Sequence, residues 1–162
     1  MPRYVAFLRG VSPMNAKMPE LKQCFESAGF EDVRTLLSSG NVAFSSKASK
    51  KAVLARKAEA SMQDRLGRTF STIVRSSKHL QALVEDDPFK AFRLAPGAKA
   101  VVTFLPEALK LAPRLPIEFE GACIHEIRDL EVFVSYVPNQ KSPVFMALLE
   151  RTFGKSITTR TL

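Results

Sequence analysis

Cysteine and histidine are scarce in this chain, and no apolar run is long. Two cysteines, Cys24 and Cys123, and two histidines are scattered along the chain. They give neither a disulfide framework nor the ligand spacing of a zinc site. No apolar segment approaches the roughly 20 residues that a membrane helix needs. The N-terminal MPRYVAFLRG carries charge but has no long apolar stretch and no small-residue cleavage site, so it does not read as a signal peptide. Together these absences lead us to expect a cytoplasmic protein with no membrane segment. Asp86-Asp87 reads as a solvated helix end rather than a cation site. No cofactor is expected, and the oligomeric state is left open.

What is present is an ordinary globular composition. The chain has 162 residues, 46% hydrophobic and 25% charged. A chain of this length buries roughly 70% of its unfolded surface and needs no covalent staple. Charge is unevenly placed: residues 1–80 hold 14 Lys+Arg against 6 Asp+Glu, and residues 81–162 hold 10 of each. The whole net charge of +8 therefore lies in the first half. Such asymmetry suits an anionic partner, although no block of five or more like charges occurs and solubility alone is the plainer explanation.

The patterning resolves into two similar series. RYVAFLRG (3–10) has the β-branched and aromatic content of a strand. MPELKQCFESAG (18–29) follows as a helix, with Pro19 in its first turn and an apolar stripe of Leu21, Cys24, Phe25 and Ala28. Gly29 is then the left-handed cap, with Phe30 as its hydrophobic follower. Residues 32–46 read as two strands around a turn at Ser39-Gly40-Asn41. A helix over 49–66, with Leu54, Ala58, Met62 and Leu66 in line, and a strand over 69–76 complete the first series. After a linking helix (77–85) and the loop DDPFKAFRLAPG come a strand (98–105), a short helix (106–112), two strands (121–127 and 130–137), a helix (142–154) and a strand (156–161). In that last helix Ser142 reads as N-cap, with Pro143 in the first turn. The expected fold class is α+β, built from duplicated ferredoxin-like (β-α-β-β-α-β) halves, 1–80 and 81–162.

The first half also carries a set of short motifs: Leu8-Arg9-Gly10, Lys17-Met18, Gly29-Phe30, Val33-Arg34-Thr35 and Ser39-Gly40-Asn41-Val42-Ala43-Phe44. Asp87-Pro88-Phe89 and Thr158-Thr159-Arg160 are two further landmarks. In these residues the chain resembles bacterial domain-of-unknown-function family 1697, densely over 4–46 and sparsely beyond. The resemblance implies a duplicated α+β, ferredoxin-like architecture, and it implies no established activity. There are two departures. The family loop is usually glycine-rich, whereas Ser12-Pro13-Met14-Asn15 stands here, and Pro13 removes an N–H. The family tends to continue past its Thr-Arg with Asn-Trp and a further helical stretch, whereas this sequence ends at Leu162.

Candidate chemistry centres on FLRGVSPMNAKMPEL (7–21), where a strand passes through a polar loop into a helix. A helix N-terminus attracts anions, and Arg9 and Lys17 flank the loop. Gly10 allows close backbone approach, and Asn15 offers a donor and an acceptor. The family resemblance adds Arg34, Ser39, Asn41 and Arg160 as polar residues that could converge there. The loop matches neither G-x-G-x-x-G nor the Walker pattern, so any small anionic or phosphorylated ligand must be held by side chains. Arg9 pairing with Glu20, or capping a carbonyl, is the structural alternative. Ser39-Gly40-Asn41 is explained equally by the demands of a tight turn.

Cys123 and His125 lie at i, i+2, so on a strand they share a face. A Cys–His dyad could supply a nucleophile, but no orienting carboxylate is evident, and a half-buried structural cysteine is the favoured reading. Cys24 reads as core and His79 as surface. Glu118 and Glu120 could pair as acid and base, but they have no identifiable partner. Nucleic acid is the alternative partner. Stacking of the RNA-recognition kind would use Tyr4, Phe7 and Phe44, though no Lys/Arg-Gly-Phe-x-Phe signature occurs. Lys47, Lys50, Lys51, Arg56, Lys57, Arg65 and Arg68 could still make sequence-blind phosphate contacts. An enzyme built on the Arg9–Lys17 cluster would lack both nucleophile and base.

Overall fold

The structure, a computed structural model, describes residues 1–36, 40–138 and 144–161. The chain divides into two compact units, Met1–Ala82 and Leu83–Leu162. Each is built on an antiparallel sheet, and four helices are distributed along the described chain.

The first unit contains β1 (Arg3–Leu8), α1 (Met18–Ser27), β2 (Glu31–Leu36), β3 (Asn41–Ser45), α2 (Lys51–Leu66) and β4 (Thr72–Ser76). Its sheet order is β2-β3-β1-β4. One face of β1 and β3 presents Tyr4, Ala6, Leu8, Val42 and Phe44, which pack with Leu21, Cys24 and Phe25 of α1 and Leu54, Ala58 and Met62 of α2. The helical stripes expected from the sequence are thus the faces that the helices bury. Phe30, just beyond α1, stacks on Phe44 at 4.3 Å between ring centroids, and Tyr4 stacks on Phe44 at 5.7 Å. Gly29 adopts φ +94°, and the Phe30 N–H reaches back to the Phe25 carbonyl (3.3 Å), which ends the helix as expected.

α3 (Ser77–Asp86) runs across the boundary between the units. A 3-10 turn follows at Pro88–Ala91, then β5 (Lys99–Phe104), β6 (Ile117–Phe119), β7 (Ala122–Arg128), β8 (Glu131–Tyr136), α4 (Val144–Phe153) and β9 (Thr158–Thr161). The sheet order is β6-β7-β8-β5-β9. Without β6, this order repeats that of the first unit strand for strand. The short helix expected over 106–112 does not form. Residues 106–116 run as irregular chain from β5 to the edge strand β6. Leu109 and Leu115 of this segment still pack on the core of Val101, Ile124, Val132, Val134, Leu148 and Leu149. The window is too short to nucleate a helix on its own, and Pro113 and Pro116, which lack a backbone N–H, bar its extension toward β6. Ser142 and Pro143, expected to start α4, lie outside the described residues. No helix among the described residues is long and apolar enough to cross a membrane.

Candidate functional site

The loop after β1 is held by its own asparagine. Asn15 Nδ2 donates to the Gly10 carbonyl (2.8 Å), and Asn15 Oδ1 accepts from the Ser12 N–H (2.8 Å). The backbone N–H groups of Asn15 and Ala16 both reach the Ser12 carbonyl at 3.1 Å. Arg9 is half-buried, and its backbone N–H donates to Ser71 (3.0 Å) beside the start of β4. Lys17 is exposed in the N-cap position of α1 and makes no side-chain cap bond.

The β2–β3 hairpin meets this loop through Gly40. The Leu8 N–H donates to the Gly40 carbonyl (2.8 Å). A Cβ on Gly40 would lie 2.9 Å from the Leu8 carbonyl oxygen and 3.1 Å from Val11 Cβ, at φ +83°. Glycine is required there by both close approach and backbone conformation. Asn41 is buried at the start of β3 and donates to the Leu36 carbonyl (3.3 Å). Arg34 is exposed on β2, with its Nε 3.5 Å from Asp32 Oδ1. Ser39 lies outside the described residues. Arg160 belongs to the second unit, where its guanidinium donates to Thr158 Oγ1 (2.8 Å) and the Thr159 carbonyl (3.0 Å). Burial pushes its pKa down. The structure therefore joins Gly40 to the residues around the loop's start, while Asn41 bonds within its own hairpin and Arg34 pairs with a neighbour on its own strand.

The aromatic residues weighed for base stacking face elsewhere. Phe44 and Tyr4 are buried in the helix-covered core, so neither offers an exposed platform. Phe7, on the opposite face of β1, is also buried.

A different cluster forms on the second sheet. Cys123 of β7 lies opposite Ser135 of β8, and Glu118 of β6 lies opposite Cys123, so the three share one sheet face. His125 is the extra residue where the β7–β8 register shifts between Ile124 and Glu126. Such a bulge re-aims a side chain, and here the His125 ring lies between its two neighbours. Its Nε2 is 2.7 Å from Ser135 Oγ, and its Nδ1 is 3.5 Å from Cys123 Sγ. Phe92 stacks on the imidazole at 4.6 Å with planes 14° apart, and Phe89 meets it edge-on. Phe89 also packs edge-on against Phe133 (5.8 Å).

These contacts set the protonation states. Burial pushes the Cys123 thiol above its usual range, and the negative charge of Glu118 pushes it the same way. Burial holds the His125 imidazole below its ordinary value, against the opposing pull of Glu118. At neutral pH the pair is a thiol beside a neutral imidazole. A cavity of about 590 Å³ opens beside it, lined by Arg93, Leu94 and Pro96 from the chain after the 3-10 turn, by Glu118 and Glu120, and by Cys123, His125 and Ser135. Among the described residues, no three His, Cys, Asp or Glu side chains gather as metal ligands.

The family model for a protein of unknown function, DUF1697, matches residues 1–118. The chain belongs to the DUF1697 family. A solved structure, that of the conserved bacterial protein SP0830 from Streptococcus pneumoniae, is similar to it, with a TM-score of 0.72 and 25% identity. That similarity covers 99% of this chain and 92% of SP0830. No functionally curated protein matches. In this DUF1697 chain the Asp87-Pro88-Phe89 landmark has a physical role. Asp87 takes φ +44° and Pro88 opens the 3-10 turn, which seats Phe89 on Phe133 and His125.

Sequence reasoning saw Cys123, His125 and Glu118 but not Ser135, Arg93 or Phe92. Alternation along β7 and β8 was the available signal, and it points the wrong way unless the bulge is known.

Proposed function

We propose that this protein binds a small amphoteric molecule in the pocket of its second unit. The observation that carries this reading is one cavity of about 590 Å³ that brings together a guanidinium, two carboxylates and a neutral imidazole. Small-molecule sites typically span roughly 300–1,000 Å³ and combine apolar walls with a few polar groups. Arg93 suits a carboxylate or phosphate on the ligand, and Glu118 and Glu120 suit its amine or amide donors. A doubly anionic ligand without donors would meet repulsion from both glutamates.

The shared strand order supports reading both units as ferredoxin-like halves, the second having lost its first crossover helix. A second reading rests on the charge excess of residues 1–80, with Arg9 and Lys17 flanking the first loop. It assigns the first unit a phosphate-bearing partner, a nucleic acid included.

Thermal shift against amino acids, amides and phosphate esters tests the primary reading. An amphoteric ligand should raise the melting temperature of the native protein and of Arg9→Ala, but not of Arg93→Ala. Stabilisation by phosphate esters alone, lost in Arg9→Ala and kept in Arg93→Ala, would replace the primary reading with the second. Fluorescence anisotropy with labelled oligonucleotides at low salt asks whether that phosphate belongs to a nucleic acid.

A further inference from the structure

We infer that Cys123 is a nucleophile toward an acyl group, with Nδ1 of His125 as its base and Ser135 as the residue that positions the ring. The inference deepens the reading of the second unit's pocket as a ligand site, because that cavity is where the acyl group would lie. Three observations support it. Cys123 lines the cavity, and its Sγ lies 3.5 Å from Nδ1. Ser135, only 4% exposed, fixes the opposite ring nitrogen at 2.7 Å. Phe92 stacked on the imidazole restricts the remaining ring rotation. This nucleophile, base and orienting group follow the logic of a catalytic triad, with a hydroxyl in place of a carboxylate.

The chemistry follows from neutral partners. With the imidazole hydrogen on Nε2 and donated to Ser135 Oγ, Nδ1 presents its lone pair to the thiol. As Sγ bonds to the carbonyl carbon, the thiol proton passes to Nδ1. The same proton then moves to the departing oxygen or nitrogen as its bond to that carbon breaks, leaving a thioester and a neutral imidazole. Water completes the cycle: its proton goes to Nδ1, its oxygen bonds to the acyl carbon, and the C–S bond breaks with the proton returned to Sγ. The charged groups facing the pair are Glu118 and Glu120 from β6 and its turn, and Arg93 from the covering segment. Glu126, farther along β7, is ion-paired with Arg128 at 3.1 Å.

The probe is p-nitrophenyl acetate on the full-length protein, with release of nitrophenolate and intact-protein mass followed together. The expected result is acetylation of Cys123, with Cys24 unmodified because it is fully buried. Its rate should rise as His125 loses its proton, with a midpoint below the ordinary 6.5, and then stay level to about pH 8. His125→Gln should lower the neutral-pH rate by about 100-fold, and Ser135→Ala should lower it less while shifting the midpoint. A rate that climbs about tenfold per pH unit from pH 6 to 9, as for an isolated thiol, would overturn the inference. So would acetylation that His125→Gln leaves unchanged. The profile is measured on the native protein, so an unfolded variant does not blunt the test. Ligand stabilisation lost in Arg93→Ala together with a plain-thiol profile would leave the pocket reading standing and remove the nucleophile. A level profile with no stabilising ligand would do the reverse.

Discussion

In the first unit, Asn15 and Asn41 end on backbone carbonyls of their own loop and hairpin, at 2.8 and 3.3 Å. In the second unit, Cys123, His125 and Ser135 end on one another beside a cavity. The two sheets share a strand order, yet one directs these polar side chains to backbone at its margins and the other gathers polar groups on an open face. A covering helix packs a continuous apolar stripe. The 3-10 turn and the chain after it contribute two aromatic anchors, Phe89 and Phe92, and leave space beside them. Irregular cover is what leaves the cavity open.

That contrast can be broken at several points. The largest effect is expected from Phe44→Ala, which empties the centre of the first unit's aromatic stack and should cost about 3–5 kcal/mol in urea denaturation followed by circular dichroism. A loss near 1 kcal/mol would show that the helix-covered face is loosely packed. Gly40→Ala places a Cβ against Leu8 in a left-handed conformation and should cost about 2 kcal/mol or more. Neutrality there would mean that the hairpin and loop can part. Asn15→Ala removes both side-chain bonds within the first loop and should cost about 1 kcal/mol. Ligand-induced stabilisation should survive it, since Asn15 serves backbone.

The smallest expected effect lies in the second unit and depends on pH. The folded His125 has a pKa below 6.5, so above that value it is neutral in both states and its contribution is fully present. As pH falls, the unfolded chain takes the proton first, and stability is lost toward the lower folded pKa. The urea midpoint should fall between about pH 7.5 and pH 5, and His125→Gln should flatten part of that fall. An unchanged slope in the variant would place the titrating group elsewhere.

Much of the architecture was legible locally. Leu21, Cys24 and Phe25 on one helix, and Leu54, Ala58 and Met62 on another, announced by spacing the faces that they bury. Gly29 and Pro19 marked the two ends of α1. The 106–112 segment misled because its apolar residues have helical spacing, while its brevity and the prolines that follow it prevent the helix. For the loop, position and charge were legible, but the use of Asn15 was not, since the same amide can face a ligand or its own backbone.

The pocket shows where local reading ends. Residues alone led to strands over 121–127 and 130–137 turned at Arg128-Asp129, and Ala122–Arg128 and Glu131–Tyr136 do pair there. In an unbroken register, Cys123 would fall opposite Tyr136, and His125 opposite Val134, on the apolar face. That placement agrees with the structural cysteine expected from the lack of an orienting carboxylate. The bulge at His125 slips the pairing by one residue, so Ile124 takes Val134 and Cys123 takes Ser135. A slip of one residue moves a strand's side chains to the opposite face. Which face bears the thiol and the imidazole was therefore decided by tertiary packing, through Phe89 and Phe92 on one side of the sheet and the Ile124–Val134 core on the other.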